Sequence, residues 1–358
     1  MLLKDSFPIS SRYSVAQTQR NSSIDGIRLV ATIMVTLIHI TGKGFGAGLL
    51  VRHWWASNFY ESISRAAVPL FFMVTGALLL PREHNVASIG KRIWRVALPL
   101  LVWSAAYLMW DLIMWKHGLP WAEWLPTMLS HPTCGHLWYL YTLIPAYAFL
   151  PVISSFFRNT KPRMIWFVLG AWFVFGSLIP SINQLFHKPI VGFDRQIFYI
   201  YPGYMLLGAV LWSMKAKGNK HLALGVVAMA LGVAGTALGT YFYSIGEAAP
   251  NETFYEYFSL TVVVAALGWF ICISAVFEWI GANSKFLARL VSHFGKASFG
   301  IYLIHPLIIW SFEIHGYDYT LINPWLGTPL LMMGVISVSW AIIALVRCIP
   351  GVRTIAPG

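Results

Sequence analysis

The sequence predicts an all-α fold, a polytopic membrane helix bundle of about ten transmembrane helices with both termini cytoplasmic. Three observations predict it. Of 358 residues, 58% are hydrophobic and only 11% charged, less than half of the roughly 25% charge that soluble domains carry. The apolar runs approach the roughly 20 residues that cross a bilayer as a helix. The basic residues fall mostly in alternate intervals between those runs. Length alone would allow two or three soluble domains, but a surface this poor in charge does not stay dispersed in water. Three cysteines exclude a disulfide scaffold.

In chain order, a polar cytoplasmic segment, 1–26, precedes the first run at 27–47. That run has no small-residue cleavage site where a signal peptide would end. The others are 66–81, 96–115, 137–157, 164–181, 197–214, 222–244, 258–279, 298–314 and 326–346. The second and ninth are short. Runs such as 222–240 are apolar throughout, without the every-second-residue alternation of a membrane barrel strand. One transmembrane domain thus fills 27–346, and 347–358 is a cytoplasmic tail.

Orientation follows from Lys and Arg in the short loops. The inside segments hold Lys4, Arg12 and Arg20; Arg82, Lys91, Arg92 and Arg95; Arg158, Lys161 and Arg163; Lys215, Lys217 and Lys220; Lys285, Arg289 and Lys296; Arg347 and Arg353. The outside loops hold only Arg52, Arg65, Lys116, Lys188 and Arg195. The net charge of +12 is therefore read as a topology signal, and nucleic acid drops out as a partner. No metal is expected: His131, Cys134 and His136 are close in sequence, with no second cluster to complete four ligands. Walker A, nucleophile-elbow, His-Glu-x-x-His and Cys-x-x-Cys patterns are absent.

Ionisable residues inside a bilayer are functional candidates, because each costs about 2.5–3.5 kcal/mol on insertion scales. His39 lies eleven residues after Arg28, about 16 Å along a helix and only ~20° from a whole number of turns. The two share one face, a cation at the mouth and an imidazole deep within. A snorkelling interfacial Arg and a His bonded to a neighbouring helix also explain them in structural terms. Tyr302 and His305 lie three apart on one face, followed by Pro306, which removes a backbone donor. His136 opens Gly135-His-Leu-Trp138-Tyr139, where Trp and Tyr are also ordinary interface anchors. Arg92 and Arg95, one turn apart, have the spacing to hold a phosphate between two guanidinium forks, although the positive-inside rule also accounts for them.

Together these residues resemble acyltransferase family 3, integral membrane O-acyltransferases, over most of the chain. Arg28 and His39 stand at the family's Arg-x10-His spacing, after Ile24-Asp25-Gly26-Ile27. Val68 to Gly76 is similar to its second-helix segment, with Thr75 where Ser is usual. Arg92–Arg95 matches its Arg-x-x-Arg, His136-Leu-Trp-Tyr its His-Leu-Trp-Phe, and Ser298 to Pro306 its late helix. Within the family the chain resembles the short, stand-alone branch that includes the enterobacterial common antigen O-acetyltransferases. The resemblance implies transfer of an acyl group, usually acetyl from cytoplasmic acetyl-CoA, to a hydroxyl of a glycan or lipid-linked saccharide, in a bacterial cytoplasmic (inner) membrane. It implies catalytic roles for His39, Arg28, Tyr302 and His305, and substrate contacts for Arg92, Arg95, Thr75, His136 and Trp138. Membrane lipids surround it. From the residues alone a second reading stands beside this one: a secondary transporter or flippase for an anionic or glycan substrate, with Arg28, His39 and His305 on its pathway.

Overall fold

The computed structural model describes residues 22–51, 53–116, 118–186, 190, 201–214 and 219–356. Of the topology markers, Lys4, Arg12, Arg20, Arg52, Lys188, Arg195, Lys215 and Lys217 lie outside the described residues. Within them the chain is helical, in the order α1 (Ser22–Gly46), α2 (Trp54–Ser64), α3 (Ala67–Leu79), α4 (Val86–Trp110), α5 (Trp121–Ser130), α6 (Trp138–Asn159), α7 (Pro162–Phe173), α8 (Ile179–Leu185), α9 (Pro202–Met214), α10 (Asn219–Ser244), α11 (Leu260–Asn283), α12 (Lys285–Ile314) and α13 (Pro324–Cys348). Among the described residues, nine stretches are long and apolar enough to cross a membrane. The chain is an all-α, multi-pass membrane protein.

Helix ends are set by ordinary capping chemistry. Asn85 accepts from the Ser88 backbone N–H at 2.8 Å while the Ser88 hydroxyl accepts from Asn85 N–H at 3.1 Å, a reciprocal box that starts α4. Ser284 caps α12 through Leu287 N–H, and Asn323 caps α13 through Trp325 N–H with Pro324 at the first helical position. Several helices run on past their apolar windows. Lys91, Arg92 and Arg95 stand on α4 rather than in a loop, and Lys285, Arg289 and Lys296 on the 30-residue α12. A helix satisfies its own backbone, so it continues through the headgroup region without cost.

Two expected spans differ in the structure. The run at 197–214 gives a described helix of 13 residues, α9, about 20 Å long, short of the about 30 Å hydrocarbon core. It is nonetheless deeply buried, from Gly203 to Val210. The second span is longer than 66–81: α2 and α3 form one 26-residue stretch, Trp54–Leu79, interrupted at Arg65 and Ala66. This corrects Arg65, which is not an outer-loop marker but is enclosed within that stretch.

Lipid tails are as apolar as leucine, so helices associate in a membrane by close packing rather than by hydrophobic transfer. The contacts follow that rule. A side chain at Gly76 in α3 would collide with the Met205 backbone in α9, and one at Gly208 in α9 with the Met73 backbone in α3. Gly232 and Gly268 make the same close approach between α10 and α11. Around these crossings one continuous core runs from Ile24 and Ile27 in α1 through Phe72 and Met73 in α3 to Ile301 and Ile309 in α12.

Candidate active site

Three histidines from three helices meet in this core. His39 comes from α1, His305 from α12, and His136 from a single 3-10 turn, Gly135–Leu137, that leads into α6. Ring centroids are 5.1 Å apart for His39 and His305, 5.2 Å for His136 and His305, and 5.9 Å for His39 and His136. His136 and His305 are buried, whereas His39 is half-buried. Among the described residues no group of three or more His, Cys, Asp or Glu side chains is arranged to hold a metal ion.

The His305-Pro306 pair has a local logic. In an α-helix the N–H of residue 306 would bond to the carbonyl of residue 302. Proline has no N–H, so the Tyr302 carbonyl is released inside the core. His305 Nδ1 takes it, at 2.7 Å. A carbonyl only accepts, so Nδ1 carries the proton and Nε2 keeps a bare lone pair. That Nε2 is buried and has no hydrogen-bond partner. One ring therefore closes a backbone gap with one nitrogen and presents a basic nitrogen with the other.

Two tyrosines hold the neighbourhood in place. The Tyr302 hydroxyl donates to the His136 carbonyl, tying α12 to the 3-10 turn. Tyr107 of α4 donates to the Leu303 carbonyl at 2.8 Å, and its ring packs edge-on to His136 at 5.3 Å. The Cys134 Sγ lies 3.3 Å from His136 Nδ1. Burial pushes the Cys134 thiol up to about 12, so it is a neutral, weakly donating group beside the ring rather than a thiolate.

The cationic end lies toward the start of α1. Arg28 and Arg92 both act electrostatically on Tyr147 of α6, and Arg28 also on Tyr139. Among the described residues neither arginine has an ion-pair partner, and Arg92 Nε is buried without a hydrogen bond. The turn between α3 and α4 adds to this end. The Ser154 hydroxyl shares its one proton between the Leu80 and Arg82 carbonyls, and Arg158 pairs with Glu83 at 2.6 Å. Burial, with the charges of Arg92, Arg158 and Arg82, holds the His84 imidazole below its usual value against the opposing hydrogen bond to the Leu79 carbonyl.

The residues expected at the site thus divide. His39, His136, Tyr302 and His305 converge, and Trp138 lies alongside, stacked on Tyr257 at 5.5 Å. Arg28 and Arg92 flank them from the start of α1 and α4. Arg95 is exposed, and no hydrogen bond or ion pair ties it to the site among the described residues. The Thr75 hydroxyl turns back to the Phe71 carbonyl at 2.8 Å. It is linked to the site only through the Phe71 ring, which packs on Tyr139 and Tyr302. Sequence reasoning missed Glu61 and Arg65, ion-paired within the membrane stretch close to His39. The signal was available, a Glu and an Arg four apart directly before an apolar run.

A family model described as an acyltransferase domain matches residues 21–344. No curated protein matches the chain. The family match takes in every residue of this site and nearly the whole chain, and on it the chain belongs to the acyltransferase 3 family of membrane acyltransferases.

Proposed function

We propose that the protein is a membrane O-acyltransferase that moves an acetyl group from acetyl-CoA to a hydroxyl of a glycan or lipid-linked saccharide. The observation that carries this reading is the meeting of His39, His136 and His305 about 16 Å along α1 from Arg28. The CoA phosphates suit unpaired guanidinium groups, which bind them as planar forks. An extended pantetheine arm then carries the thioester from Arg28 and Arg92 toward the histidines. A sugar hydroxyl is a poor nucleophile until a base takes its proton, and a neutral imidazole is suited to that role near pH 7.

In the step so derived, the hydroxyl oxygen attacks the thioester carbonyl carbon while His39 accepts the hydroxyl proton. The tetrahedral intermediate collapses, the C–S bond breaks, and the proton passes to the departing CoA sulfur. The His305 Nε2 lone pair, one ring away, is a second acceptor for the same proton. The same geometry serves an acetyl-imidazole on His39, formed first and then attacked by the sugar. Family membership favours this reading over a transporter with Arg28, His39 and His305 on its pathway. The short-branch resemblance, a bacterial cytoplasmic membrane and both termini inside complete the proposal. The test is to supply purified protein in lipid nanodiscs with acetyl-labelled acetyl-CoA and a saccharide mixture. CoA release matched by labelled saccharide supports the proposal, and transport of the saccharide with neither product contradicts it.

A further inference from the structure

Arg65 and Glu61 form a second polar assembly beside the histidines, toward the end of α1 opposite Arg28. The guanidinium pairs with one Glu61 oxygen, and the Thr41 hydroxyl, whose one proton is shared with the Leu37 carbonyl at 2.8 Å, lies 3.3 Å from the other. The Tyr255 ring covers the guanidinium at 4.1 Å. Tyr255 is itself fixed by donating to Asn58 Oδ1 at 2.6 Å, and Asn58 donates to the Ala237 carbonyl at 3.0 Å. The fork is therefore held by α1, α2, α10 and the segment before α11. Glu61 is 1% exposed and Arg65 15%, and Arg65 Nε is buried with no hydrogen-bond partner.

Stability does not explain this assembly. Removing two charges from water costs several kcal/mol per ion, and apolar residues of the same volume often do as well. Charged residues inside membrane spans mark binding and transfer sites. The assembly also connects to the reaction centre: Arg65 acts electrostatically on His39, and its side chain interacts with Tyr257. Tyr257 stacks on Trp138, which follows His136 by two residues.

Its charge differs from that of the Arg28 end. Arg65 is neutralised by Glu61, and Glu252 adds a negative field to both. An incoming anion would meet two carboxylates around a guanidinium already engaged. A neutral polyol meets donors on Arg65, acceptors on Glu61 and a flat aromatic pair for its C–H face, the few polar groups on an aromatic wall that ligand sites employ.

We propose that Glu61, Arg65, Tyr257 and Trp138 form the acceptor subsite, and that it takes an uncharged, hydroxyl-rich glycosyl unit in preference to one bearing a carboxylate. This rests on the acyl-transfer reading only in placing the acetylated hydroxyl at His39. Binding is measured by saturation-transfer NMR on the full chain in nanodiscs, with methyl N-acetyl-β-glucosaminide and methyl β-glucoside as neutral probes and methyl β-glucuronide as the anionic one. Acetyl-CoA affinity is measured on the same samples. The neutral glycosides should bind at least about tenfold more tightly than the glucuronide, and Glu61→Gln should narrow that gap. Arg65→Gln alone strands a buried carboxylate, so the Glu61→Gln/Arg65→Gln double variant, uncharged and similar in shape, is the decisive one. It should weaken neutral glycosides about tenfold or more and leave acetyl-CoA affinity within about twofold. Equal binding of the glucuronide, no binding of either neutral glycoside, or a double variant with unchanged glycoside affinity overturns the subsite. A wild-type protein that binds neutral glycosides through Arg65 but not acetyl-CoA upholds the subsite and removes the donor reading instead.

Discussion

At the scale of single residues, His305 shows how a backbone defect and a chemical group share one side chain. Pro306 frees the Tyr302 carbonyl, His305 Nδ1 closes it, and Nε2 is left buried without a partner on a ring that packs near the other two histidines. His305→Ala leaves that buried carbonyl unpaired, so it should lower stability by about 1–3 kcal/mol and also lower turnover. The two losses are separable. His305→Ala/Pro306→Ala restores an N–H to the Tyr302 carbonyl, so thermal unfolding should recover toward wild type while acetyl transfer does not. Recovery of both would make His305 purely structural. At the other end, Arg28→Ala and Arg92→Ala should each weaken acetyl-CoA binding more than folding. Arg92→Lys should not fully rescue it, because an ammonium lacks the planar fork; the check is donor affinity by radioligand binding. Arg95→Ala, at an exposed position, should change it least. His39, His305 and Arg28 were legible in sequence because each ionisable residue interrupts an apolar run, and His136 because it stands directly before one. The tautomer of His305 was not, since it depends on a hydrogen bond that only the folded helix creates.

At the scale of helices, the packing makes opposite predictions for two glycines. Gly76 has the Met205 backbone where a Cβ would go, whereas Gly170 in α7 has open space. Gly76→Ala should destabilise the protein by about 1–3 kcal/mol through overpacking. Gly170→Ala should be neutral or stabilising by up to about 1 kcal/mol, because alanine is the better helix former. Thermal unfolding in detergent measures both. The Thr75-Gly76 step thus owes its glycine to the α3–α9 crossing, while Thr75 spends its hydroxyl on the backbone. The break before α3 was the element least legible in sequence. Residues 54–65 include Ser57, Asn58, Glu61, Ser62, Ser64 and Arg65, too polar for an apolar window. Those polar side chains nevertheless pack inward, where Asn58, Glu61, Ser62 and Ser64 are all buried. An apolar-run criterion assumes that a membrane helix faces lipid, and it fails on one whose polar side faces the bundle.

At the scale of the whole molecule, the all-α multi-pass architecture was fully legible, because composition and run length record the solvent a protein folds in. The number of crossings was less so, since α9 is short and enclosed. If the stretch ending in α9 crosses the membrane, ten crossings return the chain to its starting side. Reporters active only in the cytoplasm, fused to either terminus, should then both be active; activity at one end alone gives an odd number of crossings and removes the both-inside topology. Within that frame the account requires that acyl transfer depend on the ring cluster while donor binding depends on the arginines. Acetyl transfer and CoA affinity measured side by side in wild type and His39→Ala test this most directly. A general base contributes about 10²–10⁴-fold in rate, so transfer should fall at least ~100-fold with CoA affinity retained. Wild-type transfer by a normally expressed His39→Ala protein would contradict the account.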